Sequence, residues 1–469
     1  ISNLEHKFMD NKNKQDDDSI HDGIFYAPWE KTFNRILTPF EEFIHRQATS
    51  GMLLMLMAIL AMILANSGFS EFYSQLIDTS ISIDVGSWGL EKTLHHWVND
   101  GLMALFFFVV GLELKREILV GELADMRKAM LPIAAAIGGM TVPALIYFFI
   151  NPEGAAARGW GMPMATDIAF ALGALALISH RVPKALITFL VALAIVDDLG
   201  AVTVIAVFYT ENIALDALAV AGGLFGLLIV FNRGGIRNLT PYLIVSIFLW
   251  YMLTLSGVHA TLAGVLAAFS IPATPKYNPM RFNRRVKYLM KRFEFSHEHD
   301  KNIMNNDELR AIVCSLESGA QSVQTLSQRL EHSWHIPVAY IIIPVFVLAN
   351  AGTPLELASL SDTLAHPVAL GISLGLIVGK FVGITGVSWL LLRFGLVRLP
   401  KDVRFTQIAG VSLLAGIGFT MSMFIAELAF EHQENLLLIS KTGLMFASLF
   451  AGVAGFVCLY VASRSPSPQ

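Results

Sequence analysis

The chain has 469 residues, of which 54% are hydrophobic and only 15% charged, with a formal net charge of −4; a soluble domain carries about 25% charged residues. The apolar residues fall in long, nearly uncharged runs, the signature of membrane spans rather than soluble cores. This excludes a soluble enzyme and a nucleic-acid binder. It also excludes a disulfide scaffold, since Cys314 and Cys458 are the only cysteines and read as free thiols.

Residues 1–30 are rich in Asp, Asn, Lys and His and read as a polar tail. The first 48 residues are too polar for a cleavable signal peptide, and Ile1 in place of Met is expected to mark a trimmed or processed start. Thr38-Pro39-Phe40-Glu41 starts a helix: Thr38 caps it, Pro39 suits the first helical position and Glu41 completes a capping box. With Phe33, Ile36, Phe40, Phe43 and Ile44 at helical spacing, this predicts a short interfacial helix.

Twelve spans are expected at 50–66, 96–118, 129–150, 156–178, 184–209, 213–231, 241–257, 258–272, 337–350, 367–392, 405–430 and 436–460. The fold class is therefore an all-α polytopic membrane protein. Residues 1–48 form a cytoplasmic tail and interfacial helix, 49–272 hold spans one to eight, 273–336 a cytoplasmic loop, 337–462 spans nine to twelve, and 463–469 a cytoplasmic tail. Assigning alternate loops to the cytoplasm, beginning with the N-terminus, places 29 of the 33 Lys and Arg there. The opposite loops hold only Lys92, Arg158 and Lys441, and Lys380 is left inside a span. Positive residues favour the cytoplasmic side, and an error of one span would scramble this bias. Both termini are expected in the cytoplasm.

Two inserts lie outside the spans. Residues 79–95 alternate apolar and polar around Gly86, which fits a small exposed β-hairpin or a plain loop. A hairpin edge is a natural place for a second subunit to pair. The 273–336 loop is basic in its first half (Arg281, Arg284, Arg285, Lys287, Lys291, Arg292). Its second half shows helical spacing at Leu309, Ile312, Val313, Leu316, Val323, Leu326 and Leu330.

Ionisable groups within spans are costly, so each is a functional candidate. They are Asp100, Asp167, Asp197, Asp198 and Lys380. Asp197 lies at the midpoint of span five. Adjacent helical residues point about 100° apart, so one carboxylate can line a cavity while the other meets a neighbouring helix. Two adjacent acids away from water hold protons until a cation or a positive side chain replaces them. A site that accepts either protons or a small metal cation is an exchanger by construction. Lys380, in Gly379-Lys380, needs a carboxylate partner, and the Asp pair offers one; a snorkelling lysine is the alternative. Pro163 disturbs span four just before Thr166-Asp167, and broken helices occur at membrane depth only against protein or a wet cavity. An acid there offsets the partial positive charge of helix N-termini. Span eleven has a matching irregular centre, Gly416-Ile-Gly-Phe-Thr-Met-Ser422. Spans four and eleven are each second in a triplet, and the triplets start on opposite sides of the membrane, the layout of an inverted-topology repeat with two discontinuous crossing helices. His259 fits a turn residue or a pH-responsive group. Glu113, Arg116 and Glu117 share a helix face and fit a self-satisfied charge cluster or a functional one. Glu331, beside His332, faces the same compartment.

The sequence resembles the NhaA family of sodium/proton antiporters over roughly residues 38–462. The motifs are Gly111-Leu-Glu-Leu-Lys-Arg-Glu117, Ala165-Thr-Asp-Ile-Ala-Phe170, Ala194-Ile-Val-Asp-Asp-Leu-Gly200, Ser256-Gly-Val-His-Ala-Thr261, Ala349-Asn-Ala-Gly352, Gly379-Lys380 and Gly416-Ile-Gly-Phe-Thr-Met421. That family is itself a standard example of inverted repeats with broken helices. The resemblance implies that Asp197 and Asp198 bind Na⁺ or Li⁺ in exchange for protons, with Asp198 the more direct ligand. It implies that Lys380 pairs with Asp197 and offsets helix C-termini at the crossing, and that Thr166 and Asp167 sit at the break of span four. Glu113, Arg116, Glu117 and Glu331 resemble a cytoplasmic pH-response region, and 79–95 a dimer-forming hairpin. It further implies an electrogenic, pH-regulated homodimer in the bacterial inner membrane, in contact with lipid, with ions as substrates and no cofactor. The N-terminal tail and the 273–336 loop are longer than the family pattern.

Sodium is expected to bind better as pH rises, because protons leave the same carboxylates. No Walker P-loop is visible, so the energy is expected to come from the ion gradient. An intramembrane aspartyl protease also uses two buried acids, but takes one from each of two helices, one of them within Gly-x-Gly-Asp, a motif missing from this sequence. A cation channel needs a selectivity filter, and no filter-like repeat is seen.

Overall fold

The computed structural model describes residues 39–85, 88–210, 213–275, 279–297, 306–354, 359–400 and 402–463. Residues 1–46 and 47–469 form separate units. Of the first unit residues 39–46 are described and are helical, forming the first turns of a helix that starts at Pro39, while Thr38, Phe33 and Ile36 lie outside the described residues.

Counting helices of eight residues or more among the described residues, the chain runs α1 (Pro39–Ala65), α2 (Ser70–Ile77), β1 (Ser80–Val85), β2 (Trp88–Thr93), α3 (Met103–Leu119), α4 (Met126–Ile150), α5 (Ile168–Ala176) and α6 (Lys184–Phe208). It continues through α7 (Leu215–Arg233), α8 (Leu239–Ser256), α9 (Leu262–Ser270), α10 (Pro279–His297), α11 (Asp307–Val323), α12 (Leu326–Pro337) and α13 (Ile343–Asn350). It ends with α14 (Pro367–Leu374), α15 (Lys380–Arg393), α16 (Phe405–Leu414), α17 (Phe419–Ala429) and α18 (Glu434–Ala462).

Among the described residues seven helices are long and apolar enough to cross a membrane, or up to nine if each of two bent pairs is one span. The chain is therefore a mostly helical, multi-span membrane protein. Phe149 and Leu215, 77% and 73% exposed, belong to an apolar outer surface that water would not tolerate in this quantity. Three expected spans fail the length test for local reasons. α3 has 17 residues and ends in Glu113, Lys115, Arg116 and Glu117. The start of span four is a tight 3₁₀ coil, Ala155–Met164. α9 has only nine residues.

Expected span one lies within α1 but for its last residue, and after α1 the chain bends by 112° into a further helix, α2. Tyr73 anchors α2, its hydroxyl donating to the Leu348 carbonyl at 2.6 Å. Span nine starts earlier than expected. Thr325 and Gln328 form a capping box at the head of α12, and the helical path continues through Pro337 and a wide turn at Val338–Ile342 into α13. The wide turn absorbs the disruption that proline brings. Glu331 therefore lies within this span rather than before it.

The alternating 79–95 segment forms the expected hairpin. β1 and β2 pair antiparallel from Ser80 opposite Thr93 to Val85 opposite Trp88; Gly86 and Ser87, at the expected turn, lie outside the described residues. In the loop, α11 forms where helical spacing was seen and α10 forms in the basic first half, where no helix was expected, with Leu309 and Ile312 buried and Arg292 paired to Glu308.

Helix packing concentrates on the site. α4 lies along α14 and α15, and α18 packs on α14 and α16. α6 is held between α4, α3 and α5.

Candidate ion-binding site at two helix breaks

α6 is unbroken over 25 residues and buries both central acids, Asp197 at 1% and Asp198 at 3% exposure. Their different directions give them different surroundings. Asp197 turns toward Lys380, the first residue of α15, which is fully buried. The Lys380 ammonium lies 2.5 Å from Asp197 Oδ2 and 2.8 Å from Thr166 Oγ1. The Thr166 hydroxyl is 2.6 Å from Asp197 Oδ2 and 2.9 Å from the Ala415 carbonyl, and its single proton serves one of these acceptors at a time. A lysine at this depth is tolerable only with such a paired, hydrogen-bonded carboxylate.

Asp198 has no such lock. Its Oδ1 and the Oδ1 of Asp197 are buried acceptors without hydrogen-bond partners. Buried acceptors are normally satisfied, so two orphaned carboxylate oxygens on adjacent residues call for an explanation. Hard cations take oxygen ligands, and a proton or a small cation satisfies these atoms equally directly.

The frame around the pair comes from two interrupted helices. The chain leaves its 3₁₀ coil at Met164, runs extended through 165–167 and enters α5. The second interruption separates α16 from α17, which are bent by 46°. The two breaks cross. The Asp167 amide donates to the Ile417 carbonyl at 2.6 Å, and the Ser422 hydroxyl donates to the Met162 carbonyl at 2.7 Å. Asp167 caps both helices at once. Its Oδ1 accepts from the amides of Ala169 and Phe170, each at 3.1 Å, and its Oδ2 accepts from the Thr420 amide at 3.0 Å and hydroxyl at 2.5 Å. An anion shared by two helix N-termini is stabilised by both. Gly416 and Gly418 permit the close approach: a Cβ at Gly416 would collide with the Leu376 carbonyl, and one at Gly418 would collide with Ser422 Oγ and press on the Ala165 carbonyl.

Thr166, Asp167, Asp197, Asp198 and Lys380 are thus brought together. Glu113, Arg116, Glu117 and Glu331 form a second, separate group at the end of α3. Arg116 reaches Glu331 at 2.5 Å, Glu117 at 2.9 Å and Glu113 at 4.0 Å, tying α3 to α12. Neighbouring Lys115 has another task, donating to the Phe269 carbonyl at 2.6 Å and capping the end of α9. His259 sits 2.7 Å from the Tyr209 carbonyl and joins its turn to the end of α6, which favours the turn role.

Sequence reasoning missed a third polar group. Glu427, 9% exposed, sits in α17 with Lys441 at 2.5 Å and His95 at 3.4 Å. Asn350 joins His95 at 3.0 Å and Asn99 at 2.9 Å. The signal was present: Glu427 is the one acid in the apolar run 419–430, and Lys441 lies two turns inside α18 rather than in a loop.

Comparison with known proteins identifies the family. The family model described as Na+/H+ antiporter 1 matches residues 41–459. The chain is 55% identical to Na(+)/H(+) antiporter NhaA 1 of Saccharophagus degradans, over 92% of this chain and 93% of the relative. It is 50% identical to Na(+)/H(+) antiporter NhaA of Sulfurimonas denitrificans, over 94% and 99%, and 47% identical to that of Syntrophobacter fumaroxidans, over 94% of each. A membrane-spanning chain with orphaned acids at a crossing of broken helices, matched along most of its length, belongs to the Na+/H+ antiporter 1 family and is a transporter rather than an enzyme.

Proposed function

We propose that the protein expels Na⁺ or Li⁺ in exchange for entering H⁺, with Asp197 and Asp198 carrying both ions in turn. The observation that carries the assignment is the buried, orphaned Asp198 Oδ1 beside an Asp197 already locked by Lys380 and Thr166. Asp198 is the readier ligand, because among the described residues no cation pairs with it as Lys380 pairs with Asp197. Two protons leave as one monovalent cation binds, so the cycle moves net charge. Ion binding strengthens as pH rises, since protons and Na⁺ contend for the same oxygens. The ions are substrates, and no cofactor takes part. Lys380 also offsets the carbonyl ends at the crossing, where Thr166 meets the Ala415 carbonyl.

Twelve spans with an inverted repeat, both termini cytoplasmic, fit the contacts. The seven helices and two bent pairs supply nine spans; α3, the coil-plus-α5 segment and α9 supply the other three. Contacts link ends that this topology puts on one side: Arg116 with Glu331, Lys115 with the end of α9, and Asn232 at the end of α7 with the Ser270 carbonyl at 2.6 Å. Such a protein belongs in the bacterial inner membrane. The Glu113, Arg116, Glu117 and Glu331 group, facing the cytoplasm, is the pH-response region, because its three acids share one arginine. The hairpin is the dimer contact, since both of its strands have an unpaired edge. Deleting residues 80–93 is expected to give monomers by light scattering in detergent, with exchange per molecule retained; a persistent dimer overturns the assignment.

The central test uses everted vesicles with an imposed pH gradient. Na⁺ and Li⁺ are expected to dissipate the gradient, increasingly so from pH 6.5 to 9, and K⁺ is not. A gradient unmoved by Na⁺ at every pH excludes the reading.

A further inference from the structure

Glu427 has no part in the exchange as described, yet it is nearly buried at a meeting point of four segments. α17 is an 11-residue helix. One end is fixed by Asp167, through the amide and hydroxyl of Thr420. The other end carries Glu427, which is 2.5 Å from Lys441 on α18 and 3.4 Å from His95 in the segment that follows β2. His95 continues to Asn350, the last residue of α13, and Asn350 to Asn99 at the start of span two. The charged groups on these elements include one further pair, Lys92 with Asp100, which satisfies itself.

An acid at this depth is retained at a cost unless it is fully paired. Glu427 is ion-paired through Oε1, and its partners lie on two other elements, α18 and the segment after β2. The helix that caps Asp167 is therefore tied at both ends. With the far tie cut, the Asp167–Thr420 contact is held from one end only, and the break beside Asp197 and Ala415 samples other arrangements.

We propose that Glu427 is a positioning residue for transport: its clamp on Lys441 and His95 keeps α17, and through it the crossing beside Asp197, in the arrangement that turns over. The proposal rests on the assignment of ion exchange to Asp197 and Asp198. A population tax on the competent arrangement lowers turnover while the ion-ligating oxygens stay the same.

The test compares turnover and apparent Na⁺ affinity in proteoliposomes for wild type, Asp198→Asn, Glu427→Gln, Glu427→Asp and the double variant Glu427→Gln/Lys441→Met. An inactive Asp198→Asn in the same preparation secures the ion-site assignment; an active one overturns that assignment and this proposal with it. Glu427→Gln is expected to cut turnover about tenfold, to move the Na⁺ KM less than about threefold, and to melt below the wild type because it leaves the Lys441 ammonium without its carboxylate, a loss of stability that the double variant is expected to recover without recovering turnover. Glu427→Asp is expected to recover at least half the turnover. The double variant leaves no buried charge unpaired and carries the test if Glu427→Gln does not fold; it is expected to be as slow as the single variant. Wild-type turnover in either neutral variant overturns the proposal. So does a loss that tracks melting temperature and that aspartate does not rescue, which marks a residue that only holds the fold.

Discussion

Asp198→Asn is expected to abolish Na⁺-driven proton movement in everted vesicles while the protein folds and reaches the membrane as the wild type does. Asparagine keeps the shape of the side chain and removes only its charge and its exchangeable proton. Because Asp198 Oδ1 has no hydrogen-bond partner, the substitution breaks no bond at that atom. It also removes the cost of holding a carboxylate charge away from water. Thermal stability is therefore expected to hold or rise as transport vanishes. That opposition is diagnostic: a residue that serves packing loses stability and activity together, whereas a ligand for the transported ion loses activity alone. Wild-type exchange in Asp198→Asn would falsify the site. So would a large fall in stability, which would mean that Asp198 supports the fold through contacts of its other oxygen.

The parts of this site legible in the sequence are those where membrane physics leaves few options. Asp197, Asp198 and Lys380 stand out because a charge at mid-span has no solvated face to retreat to, and Asp167 because a proline and a threonine mark a break before it. The pairing of Lys380 with Asp197 was open on composition alone; it follows from the approach of α15 to α6, a long-range contact that no local pattern encodes. The double capping by Asp167 was half legible. Its own helix start at Ile168 could be read, but Thr420 lies 253 residues away. The three shortfalls in span length share one cause: α3, the coil before α5, and α9 are finished by tertiary contacts, including the crossing and the Lys115 cap, rather than by apolar length. Glu427 escaped notice for the opposite reason. Near the end of its span it resembled an ordinary interfacial acid, and only the approach of Lys441 and His95 makes it buried.

Lys380→Met is expected to be the most destabilising single change at the site. The lysine is 0% exposed and serves two oxygens, Asp197 Oδ2 and Thr166 Oγ1. Removing it leaves Asp197 buried with no cation. Breaking one side of a buried ion pair typically costs about 3–5 kcal/mol. Asp197→Asn does the reverse, stranding the ammonium, and is expected to be comparably unstable. The double variant Asp197→Asn/Lys380→Met strands neither charge, so most of the stability is expected to return, with a coupling energy in the double-mutant cycle close to the sum of the two single losses, about 5 kcal/mol or more. Function is expected not to return with it. One carboxylate remains, so any residual exchange moves one proton per cation and no net charge, and a membrane potential that speeds the wild type leaves the double variant unaffected. Melting curves of the four proteins give the coupling, and exchange measured with and without an imposed potential gives the charge count. Additive losses in the double variant would mean that Lys380 and Asp197 act independently, and charge-moving exchange in it would mean that the second charge is carried elsewhere than on Asp197.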